Sequence, residues 1–249
     1  MLIGFVCPHF PLTAPPEHFY RYYDQELPLP KLYERRHEPL HPYLEDYRKS
    51  FAYDEFFETP DMVKRAQAGY LGLCSFLDEN IGKVLAALEA AGLADNTRVI
   101  YTSDHGDNLG ARGLWGKSTM YEESLAVPLI VAGPELPASV RAATPVSLLD
   151  LYPFIMASVG AASPETVTLS HPGRCITNVL AAPQRDRVVP FLRRLFPSGT
   201  CNTNWKGSGP IIRKRTTTTT SSAKTKAIPK KRQVMVTSPA AWFRVVRTS

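Results

Sequence analysis

At 249 residues, 44% of them hydrophobic, the chain is long enough to bury one large core or two small ones, and no stretch reaches the roughly 18 uncharged apolar residues of a spanning helix. The net charge of +6 hides a division: residues 1–160 carry 13 Lys and Arg against 21 Asp and Glu, whereas residues 161–249 carry 16 against 2. The four cysteines, Cys7, Cys74, Cys175 and Cys201, form no Cys-x-x-Cys pair and no dense secreted-type spacing, so neither a zinc knuckle nor a disulfide framework is indicated and free thiols in a reducing compartment are expected.

Residues 2–7 form an apolar run stopped by Pro8 and Pro11, the pattern of a buried strand running into a loop, with His9 just past its end. No basic residue precedes the run and no small-residue cleavage site follows it, so it reads as a strand and not as a signal peptide, and a cytoplasmic location is expected. Residues 11–58, rich in Pro, Tyr, Arg and Glu without a steady period, predict a long irregular excursion with one short helix, of the kind that shapes a cleft.

Thr59 can cap a helix that Pro60 opens, and apolar residues recur from Met62 and Val63 through Tyr70, Leu73 and Leu77 to Leu88, until Gly92 stops the pattern. Residues 98–102 and 127–132 are short β-branched runs that predict strands, and residues 147–159 have helical spacing closed by Gly160. A helix passing directly into a strand indicates an α/β sheet. Beyond residue 160 this character fades. Residues 216–222 are Thr and Ser among scattered Lys and Arg, so residues 161–249 are expected to form a basic, low-complexity tail, disordered or touching polyanions nonspecifically.

The residues that point to chemistry are Thr102-Ser103-Asp104-His105-Gly106-Asp107, because they set a carboxylate beside an imidazole where a strand of an α/β sheet ends. Asp104 offers a hard oxygen and His105 a borderline nitrogen, which together suit a divalent cation; the same pair also serves as a helix-capping Asp with a surface His. Lys117 follows in a Gly-rich turn beside Trp115, where an ammonium can meet an anion held at the metal.

Taken in order, Ser103-Asp104-His105-Gly106, Gly113-Leu114-Trp115-Gly116-Lys117, Tyr121-Glu122 and Val127-Pro128-Leu129-Ile130-Val131 resemble the late motifs of the sulfatase family, within the alkaline-phosphatase-like superfamily. The resemblance covers about residues 1–160. It implies an alkaline-phosphatase-like α/β three-layer sandwich, with Asp104 and His105 as metal ligands and Lys117 on the sulfate oxygens. His9, in Pro8-His9-Phe10-Pro11, matches a family segment whose histidine contacts the ester and helps protonate the departing oxygen. The implied cofactor is a divalent metal, calcium first and manganese or magnesium as alternatives, and the implied partner is a small-molecule sulfate ester.

The family also uses an Asp-Asp metal pair and a Cys-x-Pro-Ser-Arg motif whose cysteine becomes formylglycine, both placed before the Pro-His-x-Pro segment. None of the four cysteines has Pro two places on and Arg four places on, so the formylglycine precursor is absent from this sequence. Ser170-His171-Pro172-Gly173-Arg174 imitates the pattern loosely but follows the metal pair, and is more akin to a later Gly-Arg-Ser-Leu segment of the family. The expectation is a sulfuric ester hydrolase domain lacking its N-terminal part, spanning residues 1–160 and inactive as this chain. The alternatives are a phosphonate or phosphate ester hydrolase of the same superfamily and a catalytically dead remnant with a polyanion-binding tail.

Overall fold

The computed structural model of the chain describes residues 1–161, 173–181 and 233–236. Helices α1 (Pro16–Tyr23) and α2 (Pro42–Ser50) lie in the excursion, together with 3-10 turns at Tyr33–Arg35 and Tyr53–Phe56, so two helices occupy the stretch where the sequence predicts one.

The longest helix is α3, Pro60–Ala90, and both of its predicted ends are present. Thr59 is extended and its hydroxyl accepts from the Met62 amide at 3.3 Å, while Pro60 fills the first turn, where a missing N–H costs nothing. At the other end Gly92 adopts φ +68°, and the amides of Gly92 and Leu93 return to the carbonyls of Glu89 (3.0 Å) and Leu88 (3.2 Å). The buried face includes two glycines that apolar periodicity passes over. A Cβ at Gly69 would stand 2.1 Å from the Leu12 carbonyl oxygen, and one at Gly72 would stand 2.7 Å from Ala14 Cβ, so these positions let the α1 segment lie directly on the helix backbone. The contact is pinned by Tyr22 and Ser75, whose hydroxyls are 2.7 Å apart, and by His18 Nε2 at 3.3 Å from Glu79.

Strands β1 (Val99–Thr102), β2 (Leu129–Ala132), β3 (Val140–Ala142) and β4 (Gln233–Val236) form a sheet in the order β1-β2-β4-β3. β1 runs antiparallel to β2 with Val99 opposite Ala132, β2 antiparallel to β4 with Leu129 opposite Val236, and β3 parallel to β4. Side chains alternate across this sheet. Leu129 and Val131 point into a core shared with Phe154 of α5 (Leu151–Ser158) and with Cys175, Ile176 and Val179 at α6 (Ile176–Ala181), and Ile100 packs against its edge. Tyr101 points the other way, towards α3, where burial and the neighbouring Cys74 and Asp78 raise its phenol pKa. The sheet is thus sandwiched between α3 and the α5–α6 layer.

A capping box starts the turn at Leu148–Asp150 that leads into α5: Ser147 Oγ accepts from the Leu149 amide at 3.3 Å, and Asp150 accepts from the Ser147 amide at 2.8 Å. The same buried Asp150 also accepts from the Arg174 amide at 2.7 Å, which ties the 173–175 segment to the start of α5.

Two expectations are corrected here. Residues 2–7 are not a buried strand: Leu2 and Val6 are exposed, and no described strand lies alongside to supply the backbone partners an apolar run needs before it becomes a strand. Irregular structure after residue 160 gives way at α6, whose Cys175-Ile176 entry buries apolar surface under Phe154. It gives way again at β4, where Gln-Val-Met-Val supplies a β-prone run inside the basic stretch. Residues 216–222 and Ser170 lie outside the described residues.

Candidate anion and metal site

β1 ends at Thr102, and the chain turns at once through Ser103, Asp104 and His105. The turn is tied down by Gly106, whose amide donates to the Ser124 carbonyl at 2.7 Å and whose missing side chain admits the Glu123 carbonyl oxygen, 2.1 Å from where a Cβ would stand. Asp107 then organises the loop. Its Oδ1 accepts from the Leu109 amide at 2.8 Å, an Asx turn, and from the Gly116 amide at 3.1 Å, beside Lys117. Buried Asn108 closes the same turn, its Nδ2 donating to the Gly116 carbonyl at 2.7 Å while its Oδ1 accepts from Thr119 at 3.0 Å.

The excursion grips this loop from outside. Trp115 donates from Nε1 to Asp54 at 2.9 Å and stacks on Phe57 with ring centroids 4.1 Å apart, and Arg36 holds Asp54 at 3.6 Å. Tyr47 donates to the Trp115 carbonyl at 2.7 Å and Tyr43 to the Ser118 carbonyl at 2.8 Å. Burial, with Asp107 nearby, pushes the Tyr47 phenol up to about 12, which keeps it a donor. Glu123 receives Lys31 at 2.8 Å and Arg112 at 3.2 Å. Burial raises its carboxyl, but Lys31, a backbone hydrogen bond from its own amide and Arg112 together outweigh it, and the net shift is downward.

The four residues singled out in the sequence come together. Lys117 Nζ stands 2.8 Å from His105 Nε2 and 3.2 Å from His9 Nε2, although His9 and Lys117 are 108 residues apart. An ammonium has only donors, so both imidazoles present an Nε2 lone pair, and each carries its proton on Nδ1, 2.9 Å from a carbonyl oxygen: that of Phe10 for His9 and of Gly106 for His105. Asp104 Oδ2 lies 3.5 Å from His105 Nε2 on the exposed side. Burial nudges the Asp104 carboxyl upward, but the His105 imidazole, the amides of Asp104 and His105 and the Ser103 hydroxyl prevail and lower it. Asp107 behind them shifts the opposite way, because burial outweighs the Leu109 and Gly116 amides and the nearby His105 and His9.

Chemically the cluster is a strand-end cation facing two imidazoles and an ionised carboxylate. It can grip a tetrahedral oxyanion through Lys117 and hand a proton through an imidazole. As a metal centre it is partial. In His105 one nitrogen, Nδ1, is fixed by a backbone carbonyl, which leaves Nε2, here 2.8 Å from Lys117 Nζ, as the nitrogen that would coordinate, and Asp104 adds an exposed oxygen. Those two donors fit a divalent ion but do not complete one, and among the described residues no three His, Cys, Asp or Glu are grouped to hold a metal. Sequence inspection gave no role to Asp107, Asp54, Tyr47 or Glu123. The Asp-x-Leu spacing of an Asx turn was the one local signal available, and the others act through partners far along the chain.

A four-stranded sheet between helical layers, with this cluster at a strand end, defines a domain of the alkaline-phosphatase-like class. Among solved structures, phosphonate monoester hydrolase from Silicibacter pomeroyi matches with a TM-score of 0.61 and 29% identity over 73% of this chain and 37% of that one. A protein solved in complex with its substrate D-glucosamine-2-N,6-O-disulfate matches at 0.51 and 21% identity, a likeness of fold, over 73% and 47%. Within that class the chain belongs to the sulfatase family, whose sequence profile matches residues 2–161. Curated relatives include the choline-sulfatase of Rhizobium meliloti, 33% identical over 61% of this chain and 30% of its own length. Another is arylsulfatase K of Bos taurus, 36% identical over 44% and 20%. The chain therefore spans less than a third of either relative's length. Family membership implies a divalent metal. No described helix is long and apolar enough to cross a membrane.

Proposed function

We propose that this chain carries the oxyanion-gripping part of a sulfuric ester hydrolase, acting on a small-molecule sulfate ester. The observation that carries the reading is the convergence of Lys117 Nζ with His9 Nε2 and His105 Nε2 at 3.2 and 2.8 Å. Lys117 binds the sulfuryl oxygens and holds charge off the leaving group. His9 sits on the leaving side: once an anion occupies Lys117, its Nε2 is free to take a proton and deliver it to the departing alcohol oxygen. Asp104 and His105 are the residues that would hold the metal, calcium first and manganese or magnesium as alternatives. A bound divalent ion supplies neutralisation of the ester oxygens. Neither the nucleophile nor the remaining metal ligands are among the described residues, and the sequence has no formylglycine precursor motif.

The test is hydrolysis of 4-nitrophenyl sulfate, together with calorimetric titration of inorganic sulfate in the presence of calcium. Calcium-dependent sulfate binding that EDTA and Lys117→Ala both abolish supports the reading; a folded sample with neither binding nor turnover sinks it. A second reading, phosphonate ester hydrolysis, is favoured by the 29% identity to the phosphonate monoester hydrolase. Relative rates on 4-nitrophenyl sulfate and a 4-nitrophenyl phosphonate separate the two. Polyanion contact through the basic residues of 161–249 is a separate property, which a steep loss of DNA binding with added salt would reveal.

A further inference from the structure

Cys7, Cys74 and Cys175 lie among the described residues, and all three are free thiols. Cys175 is fully buried in the core it shares with Phe154, its Sγ 3.1 Å from the Thr177 hydroxyl, out of reach of a solvent-borne reagent. Cys7 and Cys74 are half-buried, and they lie near enough to one another for Cys7 to act electrostatically on the Cys74 thiol. Cys7 stands in a turn closed by the His9 amide on the Val6 carbonyl at 3.0 Å, and a little further on the Leu12 carbonyl rests against Gly69 of α3. Cys74 follows Tyr70 by one turn of α3, on the face that meets Tyr101 of β1, and both phenols are raised by burial with Cys74 as a neighbour.

We infer that this pair is a thiol-oxidation site, where Cys7 and Cys74 join in a reversible disulfide that fastens the backbone carrying His9 to α3. Only Pro8 separates Cys7 from His9, so the cross-link would anchor that segment independently of the contact between His9 and Lys117. The loop it closes spans on the order of 70 residues, a length at which a cross-link removes much of the freedom of the unfolded chain.

The surroundings of the two thiols set the order of events. Burial, with Cys7 beside it, pushes the Cys74 thiol up to about 12, so at neutral pH it stays protonated and is a poor nucleophile. Cys7 lies between exposed Val6 and exposed His9, where an oxidant reaches it first. With oxidised glutathione, the Cys7 thiolate attacks one sulfur, forming a mixed disulfide and releasing one glutathione thiol. Cys74 then loses its proton to solvent and attacks the Cys7 sulfur. The bond between the two cysteines forms, and the second glutathione leaves as a thiolate that takes up a proton. Two protein thiols are oxidised and one glutathione disulfide is reduced to two thiols. The raised pKa of Cys74 makes the second step the slow one.

The test treats the full chain, carrying Cys201→Ser, with oxidised glutathione and maps its peptides by mass spectrometry without reduction. The expected product is a peptide pair cross-linked through Cys7 and Cys74, with the melting temperature raised by about 5 °C or more and restored by dithiothreitol. Cys74→Ser should halt the reaction at a glutathione adduct on Cys7, and the chain unfolded in urea should lose its preference for this pair over pairs with Cys175. A folded chain that stays unmodified, keeps the adduct on Cys7 without closing the bond, pairs through Cys175, or gains no stability from the cross-link overturns the inference.

Discussion

The loop that carries His105 and Lys117 and the segment that carries His9 are held in opposite ways. The loop is clamped from behind by Asp107 and Asn108 and from outside by Asp54, Tyr47 and Tyr43, and its Trp115 is buried. His9 itself is exposed, three residues before the point where the Leu12 carbonyl rests on Gly69, with a backbone bond from its amide to Val6 and the meeting of its ring with Lys117. One half of the cluster is therefore preorganised by the fold. The other is positioned mainly by its own contacts to the cluster, and an occupant at Lys117 would order it further.

The comparison breaks most visibly at Gly106. Gly106→Ala places a methyl 2.1 Å from the Glu123 carbonyl oxygen, and urea denaturation should show a loss of about 3 kcal/mol or more. Trp115→Phe keeps the stacking on Phe57 but removes the bond to Asp54, so a loss of about 1–2 kcal/mol is expected, with weakened sulfate binding because Lys117 is two residues away.

Glu123 gives a smaller, pH-dependent effect. Its carboxyl is depressed below its ordinary value of 4.5, so the stability it contributes is fully present above that value and is lost as pH falls through the folded-state pKa. Urea midpoints of the wild type and Glu123→Gln should therefore differ at neutral pH and converge as the pH falls through the depressed pKa of Glu123. His9→Ala is the smallest change for the fold, within about 0.5 kcal/mol, and yet should lower affinity for a sulfate ester. If it costs as much stability as Trp115→Phe, the contrast between the two regions is wrong.

Legibility in the sequence follows the same contrast between local and distant causes. The ends of α3 are written in Thr59, Pro60 and Gly92, and β1, β2 and α5 in short runs whose signals are local. Residues 2–7 carry the same local signal as β2, and the difference between them is the presence of a neighbouring backbone, which no residue of the run encodes. β4 was hidden for the converse reason, since its place between β2 and β3 comes from pairing across a long interval of chain. His9, Asp104, His105 and Lys117 could be found because their order along the chain resembles a family pattern. Asp54, Tyr47 and Glu123 could not, because nothing near them in sequence shows that they face Trp115, Lys31 or Arg112.

The place of β4 also sets a timetable for folding. β1 and β2 can pair early through a connection of modest length, and α1 can settle on the glycine face of α3 as soon as both exist. The centre of the sheet stays vacant until residues 233–236 arrive, and meanwhile the β2 edge from Leu129 to Ala132 offers unsatisfied amides and carbonyls to any passing strand. High contact order of this kind slows the final step. Yield on refolding should accordingly fall steeply with protein concentration, as aggregation competes with the late arrival of one strand that must pair on both sides.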